Sequence, residues 1–368
     1  CSTSSRFRCA SASRHKFRHI SLGLAAPGGV ARTSKWPALE RVLAPCQERR
    51  FLRGLERNLR VEALVAALRV LCPATTANLG PGFDALGLAF DRGNEFEIEA
   101  GAAFSLSAEG HDADLVPRDP ARHAVVSAYQ ATRAALGLQP AAGLRVHGRI
   151  WAPPARGLGS SATATAAGIL AAEALAERSL EPADRLELAA RLEGHPDNVV
   201  PCLLGGLCVS VADREGQGLW VERFELPSPP EFVVAIPQGI ELSTEAMRSA
   251  LPAEVSHGDA VATVGRAALL IAALLGQRPA ALGRALQDWL HEPYRGPRIP
   301  GFSAVRSAGC AAGAHGVVIS GSGPTLLALT PSGRGAQVAA AMAAAWAAEG
   351  ISAEAHVLGI DPTGARIL

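Results

Sequence analysis

Lysine is almost missing from this sequence. In 368 residues the only lysines are Lys16 and Lys35, so every later basic residue is arginine or histidine. A P-loop uses a lysine that reaches the β- and γ-phosphates of a nucleotide, and Schiff-base catalysis uses a lysine amine. The sequence after position 35 therefore excludes both kinds of site, and it contains no GxxxxGK[ST] segment.

Paired cysteines and a strong net charge are also missing. The seven cysteines include no CxxC pair and no spacing typical of a metal site, which favours reduced thiols. The formal net charge is +1, so there is no electrostatic reason to expect nucleic acid or an anionic membrane as a partner. The uncharged stretch 307–333 is interrupted by glycines and a proline, which indicates strands around a loop rather than a membrane span.

Acidic residues are missing from the N-terminal region. None occurs before Glu40, whereas arginine and serine are frequent there. Residues 1–65 thus have the composition of an organelle transit peptide. Upstream sequence joined to the true start, or a disordered basic tail, would explain the same pattern. We expect a cytoplasmic protein, or a plastid protein if residues 1–65 are a transit peptide, and we exclude them from the fold prediction.

The remaining sequence predicts two domains that mix helices and strands. A chain of this length usually exceeds what one hydrophobic core serves. Pro227, Pro229 and Pro230 interrupt the pattern, so the predicted domains are residues 66–226 and 227–368. Strands and helices do not alternate strictly in either half, which favours an α+β fold over a doubly wound sheet.

The predicted elements follow from hydrophobic periodicity and turn residues. The predicted strands are Asn94–Ala100, Phe104–Ala108, Leu144–Ile150, Leu203–Val211, Phe232–Ile236, Gly316–Ile319, Thr325–Leu329 and Ala353–Leu358. The predicted helices are Ala121–Leu136, Ser160–Arg178, Ala183–Leu192, Glu245–Ala250, Gly258–Leu275, Pro279–Trp289 and Gly335–Glu349. The first two strands are expected to form a hairpin. Residues 61–71 could be a short helix that runs into a strand, and residues 73–84 form a predicted loop.

A glycine- and serine-rich string before an alanine-rich helix is the strongest chemical signal. It consists of Pro153, Pro154, Ala155, Arg156, Gly157, Leu158, Gly159, Ser160, Ser161, Ala162 and Thr163. Glycines let backbone N–H groups face inward, the serines offer an N-cap and hydroxyl donors, and the helix N-terminus adds about half a positive charge. These features predict a phosphate site that needs no lysine. An ordinary helix cap would explain the bare GxGSS pattern, but the full string is more specific.

This string resembles the central phosphate-binding motif of the GHMP kinases. Residues 73–84 and 320–325 resemble the first and third motifs of that family, in the same order, and the resemblance covers about residues 68–368. It implies a two-domain fold, with an N-terminal ATP-binding domain like domain 2 of ribosomal protein S5 and a ferredoxin-like C-terminal domain. It also implies a kinase that uses ATP and Mg²⁺ to phosphorylate a small alcohol.

Four segments narrow the resemblance to one branch of the family. Residues 73–80, 195–198, 243–252 and 288–295 resemble the branch whose substrate is L-homoserine and whose product serves threonine biosynthesis. Another GHMP kinase acting on a carboxylate-bearing alcohol such as mevalonate is the alternative, and an inactive ligand sensor is a third reading. Members of the family often dimerise, so the resemblance is compatible with a homodimer.

The resemblance also implies roles for individual side chains. Ser161 and Glu187 would bind the magnesium ion, since a hydroxyl and a carboxylate suit a hard octahedral cation. The implied substrate-binding residues are Asn78, Asp84, His195, Asn198, Thr244, Arg248, Arg295 and Thr325. Among them, the two arginines are the candidates for holding the substrate carboxylate in a guanidinium fork.

Asn198, Asp197 and Arg248 are the expected catalytic residues. Asn198 stands where related kinases carry an aspartate base, and an amide cannot take a proton. Positioning and charge stabilisation would then supply most of the catalysis, which suits phosphoryl transfer with a loose transition state. Asp197, one residue away, is the rival base.

Overall fold

A computed structural model describes residues 67–213 and 218–368 of the protein. The predicted N-terminal extension and the beginning of the apolar segment at 61–71 lie outside these ranges. The predictions of a transit peptide and of a compartment therefore remain untested. From Leu68 onward the chain is a strand.

Seven strands form the first sheet. They are β1 (Leu68–Asn78), β2 (Gly82–Gly101), β3 (Ser105–Gly110), β4 (Gly143–Ile150), β5 (Leu207–Ala212), β6 (Leu219–Phe224) and β11 (Arg366–Ile367). The order is β11–β1–β2–β4–β3, and β5 pairs with β2 and β6. All pairs are antiparallel except β3 with β4, so the hairpin predicted for residues 94–108 is wrong.

Residues 73–84 are mostly strand, which corrects the predicted loop. Their small residues fit a backbone that is buried in the middle of the molecule, as the fully buried Thr75 and Thr76 show. A short turn at 79–81 joins the two strands, and Asn78 and Asp84 on either side of it adopt the left-handed backbone conformation, with φ of 71° and 55°. Both residues line the cleft of the candidate active site.

Four helices pack against the first sheet. They are α1 (Ala124–Ala135), α2 (Ser160–Leu175), α3 (Pro182–Glu193) and α4 (Pro196–Leu204). Their alanines and Val125, Ile169 and Val199 share a core with the sheet residues Ile98 and Val146. Helix α4 was not predicted; the strand predicted from Leu203 begins only at Leu207, after the glycine turn at 205–206.

The second sheet has four strands in the order β10–β7–β9–β8, all antiparallel. They are β7 (Glu231–Pro237), β8 (Gly316–Ile319), β9 (Leu326–Thr330) and β10 (Ala353–Leu358). The helices of this part are α5 (Thr244–Arg248), α6 (His257–Leu275), α7 (Pro279–Ala285), α8 (Glu292–Arg295), α9 (Phe302–Ala311) and α10 (Gly335–Ala348). Helices precede β8 and follow β9, so the β–α–β–β–α–β arrangement is ferredoxin-like. The α+β class is confirmed, whereas α8 and α9 were not predicted.

A shared hydrophobic core joins the two sheets. Leu88 and Phe90 of β2 lie in one buried cluster with Phe232 of β7 and Leu327 of β9. Strand β11 also returns the C-terminus to the first sheet. The domain boundary at residues 227–230 stays a prediction.

One helix in the described part of the chain, α6, is long and apolar enough to cross a membrane by length and composition alone. Its most apolar 18 residues are 22% buried, and its inward side chains Leu270, Ala273 and Leu274 lie in the core that joins the sheets.

Candidate active site

The glycine-rich string forms a tight turn between β1 and the loop at residues 320–325. Ala155, Gly157 and Gly159 have positive φ angles of 56°, 75° and 67°. A Cβ atom on Gly157 would lie 2.2 Å from the carbonyl oxygen of Ser320, and one on Gly159 would lie 2.0 Å from Thr75 Oγ1. The glycines are therefore required by close packing as well as by backbone conformation.

Helix α2 begins directly after this turn. Its N-cap is Gly159, and no side chain caps it, so the predicted serine cap is wrong. The N–H groups of the first helical turn thus have no side-chain acceptor, and the helix dipole adds partial positive charge at the same place. An anion at this helix end would complete the missing hydrogen bonds.

A cleft opens in front of this helix end. The residues of the string that line it are Ala155, Arg156, Gly157, Gly159, Ser160, Ser161 and Ala162. Pro154 lines a neighbouring apolar pocket, whereas Pro153, Leu158 and Thr163 line neither. Seven residues of the predicted ATP-binding string therefore line the cleft, and the other four lie outside its wall.

A hydroxyl and a carboxylate meet at the edge of the cleft. Glu193 Oε1 accepts hydrogen bonds from Ser161 Oγ at 3.0 Å and from Thr165 Oγ1 at 2.5 Å. Glu193 lines the cleft, whereas Glu187, the predicted metal ligand, is exposed and outside it. Each helical residue turns about 100°, so six residues separate the two side chains by roughly 120° around α3. The structure thus brings Glu193 to Ser161 and leaves the predicted Glu187 outside the cleft, and the identity of the metal ligand stays a prediction.

Glu193 carries a local signal that could have revealed it. It is the last residue of α3, directly before the helix-ending Gly194, whose φ is 80°. Residues that end a helix beside a turn can reach a neighbouring helix end, whereas mid-helix positions on the outer face cannot. Within residues 67–213 and 218–368 no group of three or more His, Cys, Asp or Glu side chains could hold a metal by itself. A pair of protein ligands suits Mg²⁺, which keeps several waters and binds phosphate oxygens.

Arg248 and Asp84 form a two-pronged ion pair in the cleft. Arg248 Nη1 donates to Asp84 Oδ2 at 2.9 Å, and Nη2 donates to Oδ1 at 2.7 Å. This pairing raises the pKa of Arg248, although burial opposes it. Both residues line the cleft. Two of the predicted substrate-binding residues, the acidic Asp84 and the basic Arg248, are therefore in direct contact.

Arg295 is a buried guanidinium beside this pair. The residue is 2% exposed, and its hydrogen bonds go to the carbonyl oxygens of Met247 and Gly321, each at 3.3 Å. Among the described residues no carboxylate forms a salt bridge with it. Burial, and then the charge of Arg248, lower its pKa from the usual arginine value. A buried cation of this kind is stabilised by a bound anion.

A polar network holds the segment that carries Arg295. Asp288 accepts hydrogen bonds from the backbone N–H groups of Leu290, His291 and Glu292. Glu292 accepts one from the backbone N–H of Ile319 at 2.7 Å, and burial raises its pKa to about 7. The N-terminal end of the short helix α8 is therefore held in place before any ligand binds.

The opposite wall of the cleft holds a chain of polar side chains. Asp197 Oδ1 accepts from His195 Nδ1 at 2.6 Å and from Asn198 Nδ2 at 3.3 Å. Thr75 Oγ1 donates to Asn198 Oδ1 at 2.9 Å. Burial alone would lower the pKa of His195, but the hydrogen bond and charge of Asp197 outweigh it, so the pKa is raised. Asp197 is thus already hydrogen-bonded to His195.

Three further predicted substrate residues have different surroundings. Asn78 lines the cleft, but its amide donates to Gly321 O and its oxygen accepts the N–H of Asp84. Thr244 lines the cleft near Ser322, with 3.4 Å between the hydroxyls. Thr325 is fully buried and outside the cleft lining, so its side chain is not brought to the substrate side. Asn78 therefore supports the site, and Thr325 is corrected to a buried position behind it.

An apolar pocket adjoins the cleft, and the sequence prediction missed it. It shares Ala155, Ser160 and Ser161 with the cleft. Its other lining residues are Phe96, Val116, Pro117, Arg122, His123, Ala124, Ile150, Pro154 and Ala164. Burial, aided by the charge of Arg118, lowers the pKa of His123 to about 4, so His123 itself is uncharged near neutral pH.

Sequence comparison places the chain in a family. Residues 123–206 match the GHMP kinases N terminal domain, and residues 270–348 match the GHMP kinases C terminal. A homoserine kinase of Synechococcus sp. is 44% identical over 304 residues, which cover 82% of this chain and 97% of that protein. A homoserine kinase of Trichormus variabilis is 43% identical over 310 residues, covering 82% and 99%. The chain therefore belongs to the GHMP kinases, a family of ATP-dependent phosphotransferases.

Within that family the chain belongs to the homoserine kinases. The crystal structure of homoserine kinase from Cytophaga hutchinsonii has a TM-score of 0.75 and 32% identity, covering 84% of this chain and 100% of that one. Mevalonate kinase of L. major, solved with R-mevalonate, has a TM-score of 0.61 at 16% identity. That second likeness concerns the fold alone. The resemblance that the sequence motifs indicated is confirmed.

Proposed function

We propose that the protein transfers the γ-phosphoryl group of ATP to the side-chain hydroxyl of L-homoserine. The product would be O-phospho-L-homoserine, for threonine biosynthesis. The observation that carries this proposal is the cleft itself. It contains an uncapped helix end that suits phosphate at one side and two guanidinium groups at the other. Such a cleft can hold a nucleotide and a carboxylate-bearing alcohol next to each other.

The nucleotide would bind across the two adjoining cavities. Its phosphates would accept hydrogen bonds from the backbone of Gly157, Gly159 and the first turn of α2. Its base would lie in the apolar pocket beside Phe96 and His123, whose mainly apolar surface suits a planar ring. This arrangement leaves the terminal phosphate at the boundary that both cavities share.

Ser161 and Glu193 are the residues that would hold Mg²⁺. They already lie 3.0 Å apart and form part of the cleft wall beside the phosphate-binding turn. A bound Mg²⁺ would neutralise charge that develops on the transferring phosphoryl group. Thr165 donates to the same carboxylate oxygen and so keeps Glu193 oriented toward the cleft.

Homoserine would bind with its charged end against the arginines. Arg295 has no carboxylate partner in the described structure, whereas the fork of Arg248 beside it is paired with Asp84, and the substrate would share or exchange that pairing. The substrate carboxylate would supply the missing counter-charge, and Asp84 and Asp197 would accept from the ammonium. The side-chain hydroxyl would then point toward the phosphate-binding turn. Mevalonate also has a carboxylate, but it has no ammonium to occupy two acidic side chains.

The reaction proposed here needs no general base. The substrate hydroxyl oxygen forms a bond to the γ-phosphorus, the bond from that phosphorus to the β-bridging oxygen breaks, and ADP leaves. The hydroxyl proton passes to solvent or to a product oxygen. Asn198 cannot accept it, and Asp197 already accepts hydrogen bonds from His195 and Asn198. Positioning and charge stabilisation would supply the rate enhancement.

Incubation with Mg-ATP and L-homoserine tests this proposal directly. We expect stoichiometric ADP and O-phospho-L-homoserine, with R-mevalonate and galactose unreacted. Turnover of mevalonate or galactose without turnover of homoserine would contradict it. A thermal shift with ATP and homoserine but no turnover of any alcohol would instead indicate a ligand sensor.

A homodimer, and a cytoplasmic or plastid location, are further parts of this proposal. Sedimentation of the purified protein measures the first. The mature N-terminus of protein from its native source, together with cell fractionation, measures the second. A start near residue 60 would be compatible with a transit peptide and with a misassigned start, and fractionation separates these two.

A further inference from the structure

Phe83 lies among the substrate arginines without lining the cleft. Its ring centroid is 5.0 Å from Arg295 Cζ and 5.7 Å from Arg248 Cζ. The ring of His291 stacks on it, with 5.2 Å between centroids and 25° between planes. Phe83 is half-buried and absent from the cleft wall. One aromatic ring thus contacts both guanidinium groups and the segment that carries one of them.

The backbone explains how Phe83 reaches the same arginine as its neighbour Asp84. In an extended strand, successive side chains point to opposite faces. Asp84 has a φ of 55°, in the left-handed region, which breaks that alternation. Phe83 and Asp84 can therefore both contact Arg248, one through its ring and one through its carboxylate. The position of the ring is a product of this unusual backbone conformation.

The electrostatics explain why an aromatic ring suits this place. Arg248 and Arg295 repel each other, and burial disfavours the charge of Arg295. The negative face of an aromatic ring attracts cations without offering a competing carboxylate. Asp84 already pairs with Arg248, and a second acidic residue here would pair with Arg295 as well and weaken the attraction of the site for a ligand anion. The ring holds the two arginines close together without adding a second carboxylate.

His291, which stacks on the ring of Phe83, comes from a different segment of the site. It is fully buried, and its Nε2 lies 2.8 Å from the carbonyl oxygen of Gly80, in the turn just before Phe83. Burial lowers the pKa of His291, so it adds no third positive charge near neutral pH. Asp288 fixes the backbone of His291, as described above. The ring of Phe83 is therefore held between the turn at residues 79–81 and the segment that carries His291 and Arg295.

We propose that Phe83 is a positioning residue that spaces and aims Arg248 and Arg295 so that both can bind a single carboxylate. It would thereby select substrates that carry a carboxylate over alcohols that lack one. The proposal rests on the role given above to the two arginines in binding the carboxylate of homoserine. It goes further by assigning the selectivity to a residue that touches neither substrate nor nucleotide.

The test compares two alcohols on variants of Phe83. Aminopropanol is homoserine with its carboxylate replaced by hydrogen, so the ratio of kcat/KM for the two alcohols measures carboxylate selectivity. We expect Phe83→Leu to raise the KM for homoserine about tenfold, with kcat and the KM for ATP changed less than about threefold. The kcat/KM for aminopropanol should stay within about twofold, so the ratio falls. Phe83→Tyr, which keeps the aromatic face, should restore it.

A double-mutant cycle and a stability control complete the test. Arg295→Lys alters the guanidinium on which the ring acts, so the losses from Phe83→Leu and Arg295→Lys should not be additive. Tyr129→Leu removes another ring under an arginine, Arg133, far from the cleft in α1, and should lower Tm without changing the ratio. Binding of homoserine by calorimetry replaces kinetics if a variant is too slow to assay.

Two outcomes would overturn the proposal. One is an equal loss of activity toward both alcohols in Phe83→Leu. The other is a lower Tm with an unchanged KM for homoserine, since the ring would then be structural only. Failure of the wild-type protein to phosphorylate homoserine would instead contradict the proposed function, so the two failures are distinguishable.

Discussion

Ser161 donates its hydroxyl hydrogen bond to Glu193 at 3.0 Å, which joins the start of α2 to the end of α3. The contact brings a carboxylate to the N-terminus of α2, which faces the cleft without a side-chain cap. This is the pair that we propose holds Mg²⁺, and the first prediction tests it.

Glu193→Gln should weaken the use of Mg²⁺. Glutamine keeps the size and can still accept hydrogen bonds, but it loses the charge that a hard cation prefers. We expect the Mg²⁺ concentration for half-maximal rate to rise at least about tenfold. Titration of the rate with MgCl₂ at fixed ATP measures it. Glu187→Gln, on the exposed face of the same helix, is the matched control and should behave as wild type. The reverse pattern would restore Glu187 as the ligand.

Asp197→Asn should mainly raise the KM for homoserine. Asp197 accepts hydrogen bonds from His195 and Asn198. Its expected role is therefore to keep this wall of the cleft in place and to accept a hydrogen bond from the substrate ammonium. Steady-state kinetics in homoserine and in ATP separate the effects. A loss of kcat of more than about a thousandfold with an unchanged KM would instead identify Asp197 as the base.

Asp112→Asn should loosen the phosphate-binding turn. Arg156 Nη2 donates to Asp112 Oδ2 at 2.7 Å, and the side chain of Arg156 is only 3% exposed. Removal of the charge leaves a buried guanidinium unpaired, at a cost of about 1–2 kcal/mol because Asp112 itself is partly exposed. We expect a several-fold higher KM for ATP and a lower Tm, with the KM for homoserine unchanged. Asp114→Asn, on an exposed neighbour, should have neither effect. An unchanged KM for ATP would refute this role.

Glu292→Gln should change how stability depends on pH. Burial raises the pKa of Glu292 to about 7, above its value in the unfolded chain. Between about pH 4.5 and 7 the folded protein then holds a proton that the unfolded chain has released, so this group makes stability fall as pH rises. The variant lacks that contribution. Its Tm should therefore decline less than that of wild type between pH 5 and 8, as calorimetry can measure. Glu187→Gln should follow the wild-type profile, and parallel profiles for Glu292→Gln would exclude the prediction.

Local signals in the sequence were enough for the class of the protein and much of its secondary structure. Two such signals are the glycines at the turn before α2 and the spacing of apolar residues in α1, α6 and α10. Each can be recognised from a few neighbouring residues. The predicted helices at 121–136, 258–275 and 335–349 accordingly occur with ends shifted by a few residues. The predicted hairpin was wrong because strand pairing depends on partners far along the chain: β3 pairs with β4, which begins at Gly143, after α1.

The sequence by itself determined the lysine-free phosphate turn, the membership in the GHMP kinases and the presence of two arginines for a carboxylate. Each of these is a property of residue types at close spacing. Only the tertiary structure decided that Glu193 rather than Glu187 contacts Ser161, that Thr325 is buried behind the cleft, and that Phe83 contacts both arginines. Those results depend on the direction of side chains around a helix axis and on contacts such as Asp84 with Arg248, which are 164 residues apart. No local pattern encodes such a distance, because it arises only when both sheets pack around their common core.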